Sequence, residues 1–109
     1  MIDIEIQGGT MNIRFDLIID RPRQAVWRAF DNPENLSLWQ PSLLSFKEIV
    51  RVAGRLGTRS KLIYEIDERI IEIIETITSR NEPELFSAQY ENNLAISFLD
   101  NHFIFLVVL

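Results

Sequence analysis

Few side chains in this sequence have the types and spacing that metal or nucleophilic chemistry requires. His102 is the single histidine and the chain has no cysteine, so the usual ligand sets for zinc or iron and a thiolate nucleophile are missing. The glycine-rich phosphate and dinucleotide fingerprints, the G-x-S-x-G elbow and the H-E-x-x-H motif do not occur either. We therefore expect no metal and no cofactor, and a structural role for His102.

Two carboxylates are candidates for acid or base chemistry. Glu72 and Glu75 interrupt an isoleucine-rich segment, so one of them could point inward. A general acid or base needs burial and a partner that shift its pKa. A solvated strand edge is the favoured alternative, because most acidic residues of this chain alternate with apolar ones.

Basic residues are concentrated before this segment, at Lys47, Arg51, Arg55, Arg59 and Lys61. Such a cluster could steer an anionic ligand or an acidic partner. The favoured alternative is a solvated hairpin tip that balances the acidic strand after it.

Aromatic residues from several separate segments could line a concave sheet and hold a ligand. The candidate pocket wall consists of Trp39, Tyr64, Phe86, Tyr90 and Phe98. Tyr64 and Tyr90 each have a polar tip that needs a partner when buried, and a ligand atom could supply it. The alternative is that these aromatic residues, and Phe46 with them, are ordinary core.

Composition limits the classes of protein that this chain can represent. With 109 residues, 47% of them apolar and 25% charged, the chain suits one folded domain. Its net charge of -5 argues against nucleic acid as a partner. The acidic start "MIDIEIQGGT" is unlike a secretory signal, and polar residues interrupt the longest apolar tract, so we expect a cytoplasmic protein without a membrane span.

The first twenty residues alternate apolar and polar positions on both sides of Gly8 and Gly9. Period-two alternation around two glycines predicts a β-hairpin. An alternative is that residues 1–10 are an extension, native or not, and that the domain occupies residues 11–109.

Two short helices are expected next. Asp20 could cap the first, with Pro22 in its first turn, and the helix would stop at the Asp31-Asn32-Pro33 sequence. Asn32 could cap the second helix, which would end before Pro41.

The rest of the chain is expected to form antiparallel strands separated by turns. Turns are predicted at residues 54–57, 81–83, 92–93 and 100–101. The segment "DERIIEIIETITSR" fits a helical stripe as well as a strand, and its β-branched residues favour the strand. The final pair of strands would be "LAISFL" and "FIFLVVL" around Asp100 and Asn101.

The order and spacing of these segments resemble the Bet v 1-like superfamily, also called START or SRPBCC domains. The resemblance rests on "MNIRFDLIIDRPRQAVWRAFDNPENLSLWQPSL", on the glycine-punctuated "GRLGTRSKLIYE" and on "NEPELFSAQY". It covers residues 11 to about 100. It implies an α+β helix-grip fold, in which a curved antiparallel sheet and a long C-terminal helix enclose an apolar cavity. That long helix has no counterpart in these 109 residues.

Without such a helix, the apolar end "FIFLVVL" needs another cover. It could pair with its twin in a homo-oligomer, it could be covered by the N-terminal "IDIEI" strand, or the chain could be a truncated product. Our leading hypothesis is non-catalytic binding of a small hydrophobic or amphipathic ligand in a groove on the concave sheet. The alternatives are an enzyme similar to polyketide cyclases and aromatases, or an interaction module that uses its apolar C-terminal strand.

Overall fold

The computed structural model describes residues 2–8 and 10–104, which form two antiparallel sheets and two short helices. The strands are β1 Ile2–Gln7, β2 Thr10–Phe15, β3 Leu43–Val50, β4 Arg59–Ile66, β5 Arg69–Asn81, β6 Leu85–Glu91 and β7 Ile96–His102. The helices are α1 Arg23–Asp31 and α2 Leu36–Trp39, with a 3₁₀ turn at Pro33–Asn35 between them. This confirms the expected α+β class, whereas the helix-grip arrangement stays a prediction. None of the described helices is long and apolar enough to cross a membrane.

The N-terminal hairpin is confirmed. β1 and β2 pair in register from Ile2 opposite Phe15 to Gln7 opposite Thr10. Gly8 has a φ of 56°, a left-handed conformation that glycine adopts without steric cost. Ile13 and Phe15 are more than half exposed, so this hairpin presents apolar side chains to solvent.

Both short helices follow the hairpin, but the first begins differently from the prediction. Pro22 occupies the N-cap of α1, and no side chain caps it. The expected cap by Asp20 is therefore wrong, because the backbone carbonyl of Pro22 already accepts from the N–H groups of Ala25 and Val26. Asn32 does act as a cap, but of the 3₁₀ turn that leads into α2: its side chain accepts a 3.1 Å hydrogen bond from the Glu34 backbone N–H. The N-cap of α2 itself is Asn35, without a side-chain hydrogen bond.

The larger sheet is a meander in the order β3-β4-β5-β6-β7. β5, the segment whose helical and strand patterns competed, is a 13-residue strand paired with β4 and β6. Asp67 and Glu68 connect β4 to β5, and both have positive φ. Two such residues give a hairpin turn whose twist matches that of the strands. In the strand order given above, β5 is the central strand of the sheet.

The core lies where α1 packs against the C-terminal half of β5 and against β6. Trp27, Ile77, Phe86 and Ala88 are buried in it. Phe103 closes one side, with its ring 5.2 Å from that of Trp27 in an edge-to-face arrangement. Edge-to-face aromatic pairs of this kind add to the stabilisation gained from burial.

The predicted turn at Asp100 and Asn101 is wrong, because β7 runs through both residues. Their polar side chains bond to β6: Ser87 Oγ donates to Asp100 Oδ1 at 2.6 Å, and Asn101 Nδ2 donates to the Phe86 carbonyl at 3.3 Å. The predicted last strand does not begin at Phe103 or Ile104, which lie outside regular structure. Its remainder, residues 105–109, falls outside the described part of the chain.

Candidate functional site

A groove of about 470 Å³ lies between the larger sheet and the helical segment. We call the sheet face that lines it the inner face and the opposite side the outer face. The helical segment contributes side chains from the end of α1 through α2. These are Phe30, Asp31, Pro33, Leu36, Trp39 and Gln40.

Strand register explains which sheet residues reach the groove. Directly paired residues of antiparallel strands share a face, and alternate residues of one strand share it too. Phe46 pairs with Leu62, and Glu75 pairs with Tyr90. The sheet residues that line the groove are Phe46, Leu62, Glu75, Phe86, Tyr90, Leu99 and Asn101, and Arg55 joins them from the loop before β4. The floor is thus mainly apolar with a few polar groups.

The groove brings together three of the five residues predicted for the pocket wall. Trp39, Phe86 and Tyr90 line it. Tyr64 lies on the inner face outside the lining, and its hydroxyl donates a 2.5 Å hydrogen bond to Oε1 of the lining residue Gln40. Phe98 pairs with Gln89 on the outer face and is 75% exposed. Its neighbour Leu99 reaches the groove instead.

The two carboxylates singled out in the sequence lie on opposite faces of β5. Glu72 is on the outer face, where Lys61 Nζ lies 3.3 Å from its Oε1. Glu75 lines the groove, so the favoured interpretation of a solvated edge is wrong for this residue. Glu72 and Glu75 are three positions apart, and side chains an odd number of positions apart on a strand point to opposite faces of the sheet.

Burial gives Glu75 an unusual electrostatic environment. Loss of hydration disfavours its charged form and raises the pKa of Glu75. A side-chain hydrogen bond with Tyr90 and the charge of Arg55 act in the opposite direction on that pKa, with smaller effects. Burial and the nearby Glu75 charge also raise the pKa values of Tyr64 and Tyr90. Both phenols therefore stay neutral and can donate hydrogen bonds.

A cluster of ion pairs holds one end of the groove together. Arg80 donates to both carboxylate oxygens of Asp31, at 2.5 and 2.9 Å, and Arg55 Nη1 lies 3.1 Å from Asp31 Oδ1. The Arg80 guanidinium also lies 5.1 Å from the centre of the Trp27 ring, a cation–π distance. These contacts tie α1 to β5 and to the loop before β4.

The sequence provided little signal for this cluster. In the sequence, Asp31 stands out only as part of a helix stop, and Arg80 lies 49 positions away from it. The solvated-tip interpretation is wrong for Arg55, whose side chain is 32% exposed and paired. It agrees better with Arg59 and Lys47, which are exposed. A partly buried aspartate at a helix end is recognisable only when its cationic partners are known.

A second depression of about 270 Å³ lies beside the groove and shares Phe30, Trp39 and Asn101 with it. His102 and Phe103 line it together with residues of the segment before α1. Among the described residues, no group of three His, Asp or Glu side chains is placed to hold a metal ion. The expected structural role of His102 stays a prediction.

Comparison with known proteins provides no family for this chain. No family model matches it, and searches of curated proteins and of solved structures likewise gave no significant match. The resemblance to the Bet v 1-like superfamily consequently stays a hypothesis.

Proposed function

We propose that this protein binds a small hydrophobic or amphipathic molecule in the groove and does not transform it chemically. The observation that carries the proposal is the groove itself, an aromatic-lined depression of about 470 Å³ between sheet and helices. Ligand sites of proteins commonly have volumes of about 300–1,000 Å³, apolar walls and a few convergent polar groups.

The exposure of the wall supports this proposal. Trp39 is 51% exposed and Leu99 is 49% exposed although both line the groove. A ligand would cover these surfaces, and removal of apolar area from water favours binding by about 25 cal/mol per Å² before the costs of association. The groove therefore offers apolar area that the fold alone leaves in contact with water.

Thermal unfolding with a panel of lipids, sterols and aromatic compounds tests the proposal. A ligand that binds only the native state stabilises it by RT ln(1 + [L]/Kd), about 2.7 kcal/mol at a hundredfold excess over Kd. We expect at least one member of the panel to raise the Tm of the wild-type protein. Leu99→Trp should fill the groove and abolish that shift.

The matched control is Phe98→Trp, which adds the same side chain at the neighbouring position on the outer face. We expect this variant to keep the ligand-dependent shift. A panel without effect on the wild-type protein, or equal shifts in both variants, would contradict binding in the groove.

A second candidate function is self-association through β7. Among the described residues, β7 is an edge strand that pairs with β6 alone, and its Ile96 and Phe98 side chains are exposed. Such an edge can pair with a second copy of itself. Native mass spectrometry of the full chain should then show a dimer that Phe98→Lys converts to a monomer, and a monomeric wild-type protein would exclude this function.

A further inference from the structure

The charges around the groove balance one another. Asp31 and Glu75 contribute two carboxylates to its lining. Arg55 lines it as well, and Arg80 neutralises Asp31 from behind through two hydrogen bonds. Glu82 also lies 4.0 Å from Arg80, but its side chain is 50% exposed and does not line the groove. Among the lining residues and Arg80, two carboxylates thus face two guanidinium groups, and an additional charge of either sign would leave an uncompensated charge in a partly desolvated site.

Glu75 differs from the other charged members of this set. Arg80 and Arg55 both contact Asp31. In the described part of the chain, no Lys or Arg nitrogen lies within ion-pair distance of Glu75; the ion pairs there involve other carboxylates. Its direct cross-strand neighbours are Ser60 on β4 and Tyr90 on β6, and of these two only Tyr90 also lines the groove. A carboxyl group and a phenol therefore lie side by side on a mainly apolar floor, to which Arg55 and Asn101 contribute the other polar groups.

A hydroxyl group is the ligand chemistry that complements this pair. It can insert between the two side chains, accepting from the hydroxyl of Tyr90 in place of Glu75 and donating to a carboxylate oxygen of Glu75. It also adds no net charge. A carboxylate in the same place would face Glu75 with like charge, and an ammonium group would add one positive charge beyond the two that Asp31 and Glu75 already balance.

We propose that the natural ligand is an uncharged molecule with an apolar body, and that its hydroxyl group is bound by Glu75 and Tyr90. The apolar body would lie against Trp39, Phe46 and Leu99, which line the rest of the groove. This inference rests on the proposed binding function and specifies the class of molecule that it concerns.

Three probes with the same ten-carbon chain test the inference: 1-decanol below its solubility limit, and decanoate and decylammonium below their critical micelle concentrations. Their affinities for the full chain are measured by the change in tryptophan fluorescence, to which Trp39 in the groove contributes, at one pH and ionic strength. We expect 1-decanol to bind roughly tenfold more tightly than either charged probe, the size of effect that one hydrogen bond or one uncompensated charge produces.

Two substitutions at position 75 and one control separate the contribution of the hydrogen bond from that of the charge. Glu75→Leu should weaken 1-decanol roughly tenfold, whereas Glu75→Gln retains a hydrogen-bonding side chain and should keep the affinity within about threefold. Glu72→Gln, which removes the carboxylate from the outer face of the same strand, should leave all three affinities unchanged.

Other outcomes would overturn the inference. Tighter binding of decylammonium that Glu75→Gln abolishes would make Glu75 the counter-ion of a cationic ligand. Equal binding of all three probes, unaffected by Glu75→Leu but lost in Leu99→Trp, would refute the hydroxyl preference and leave the proposed function standing. If none of the three probes bound the wild-type protein in a way that Leu99→Trp abolishes, both the hydroxyl preference and the proposed binding function would be refuted.

Discussion

The two faces of the larger sheet have similar residue types but different environments. Phe86 on β6 belongs to the inner face and is 6% exposed, whereas Phe98 on β7 belongs to the outer face and is 75% exposed. Glu75 and Glu72 show the same contrast within β5, since only Glu75 lines the groove. The difference follows from α1 and the segment after it, which cover one face only. Residue type alone did not determine burial here.

Ion pairs on the two sides of the sheet also differ in their exposure to water. On the outer face, Lys61 and Glu72 form an ion pair whose side chains are 40% and 54% exposed. Near the inner face, Asp31 and Arg80 form a bidentate pair whose side chains are 22% and 14% exposed. Water screens the first pair far more than the second, so the two pairs should differ in their contribution to stability.

The largest expected effect compares two phenylalanines. Phe86→Ala should lower the free energy of unfolding by about 3–5 kcal/mol, because it leaves a cavity between β6 and α1. Phe98→Ala should change it by no more than about 0.5 kcal/mol, as is usual for an exposed side chain. Urea denaturation followed by tryptophan fluorescence measures both. Similar losses in the two variants would show that the outer face is covered too.

The second comparison concerns the two ion pairs. Asp31→Asn should lower the free energy of unfolding by about 1–3 kcal/mol, because Arg80 and Arg55 lose a charged acceptor in a partly buried site. Glu72→Gln should cost less than about 1 kcal/mol. The same denaturation experiment in low and high salt distinguishes them, and an equal cost for both substitutions would argue against a special role for Asp31.

The smallest expected effect is the pH dependence that Glu75 introduces into the free energy of unfolding. Burial raises the pKa of Glu75 above its ordinary value of 4.5, so the folded protein holds this proton more tightly than the unfolded chain does. The resulting stabilisation is present below pH 4.5 and is lost as the pH rises through the raised pKa. As the pH rises from 4.5 through the raised pKa of Glu75, the wild-type protein should therefore lose stability relative to Glu75→Gln.

Urea denaturation of both proteins across the acid and neutral range measures this difference, with Glu72→Gln as the matched substitution on the outer face. The opposite result would be that the wild-type protein gains stability relative to Glu75→Gln as the pH rises. That result would mean that the ionised form of Glu75 is the stabilised one.

Much of the secondary structure was predictable because its signals are local. Period-two alternation identified the hairpin of β1 and β2, and β-branched residues identified β5 as a strand. Asn32 followed by Pro33 identified the start of the second helical segment. The errors were also local in origin: Asp20 and the Asp100–Asn101 pair were read from their usual preferences for caps and turns, and tertiary hydrogen bonds to β6 fixed Asp100 and Asn101 in a strand instead.

The candidate site was predictable only in part. Trp39, Phe86 and Tyr90 were recognised as aromatic residues from separate segments that a concave sheet could bring together. Phe98 was included on the same argument, although it lies one position from the residue that reaches the groove. The sequence gives no signal for Asp31 and Gln40 as site residues, and it marks Arg55 only as a member of a basic cluster for which a solvated tip was the favoured interpretation. Each of the three contributes through a partner that lies at least 24 positions away.

The sequence by itself therefore determined the elements of this protein, namely a hairpin, two short helices and a run of antiparallel strands, since those depend on neighbouring residues. Only the tertiary structure decided which face of the sheet became the inner face. β5 has isoleucines on both faces, so its pattern is nearly symmetric, and the packing of Trp27 and Phe30 against Phe86 and Ile77 broke that symmetry. Once α1 lay on that side, Glu75 faced the groove and Glu72 faced solvent.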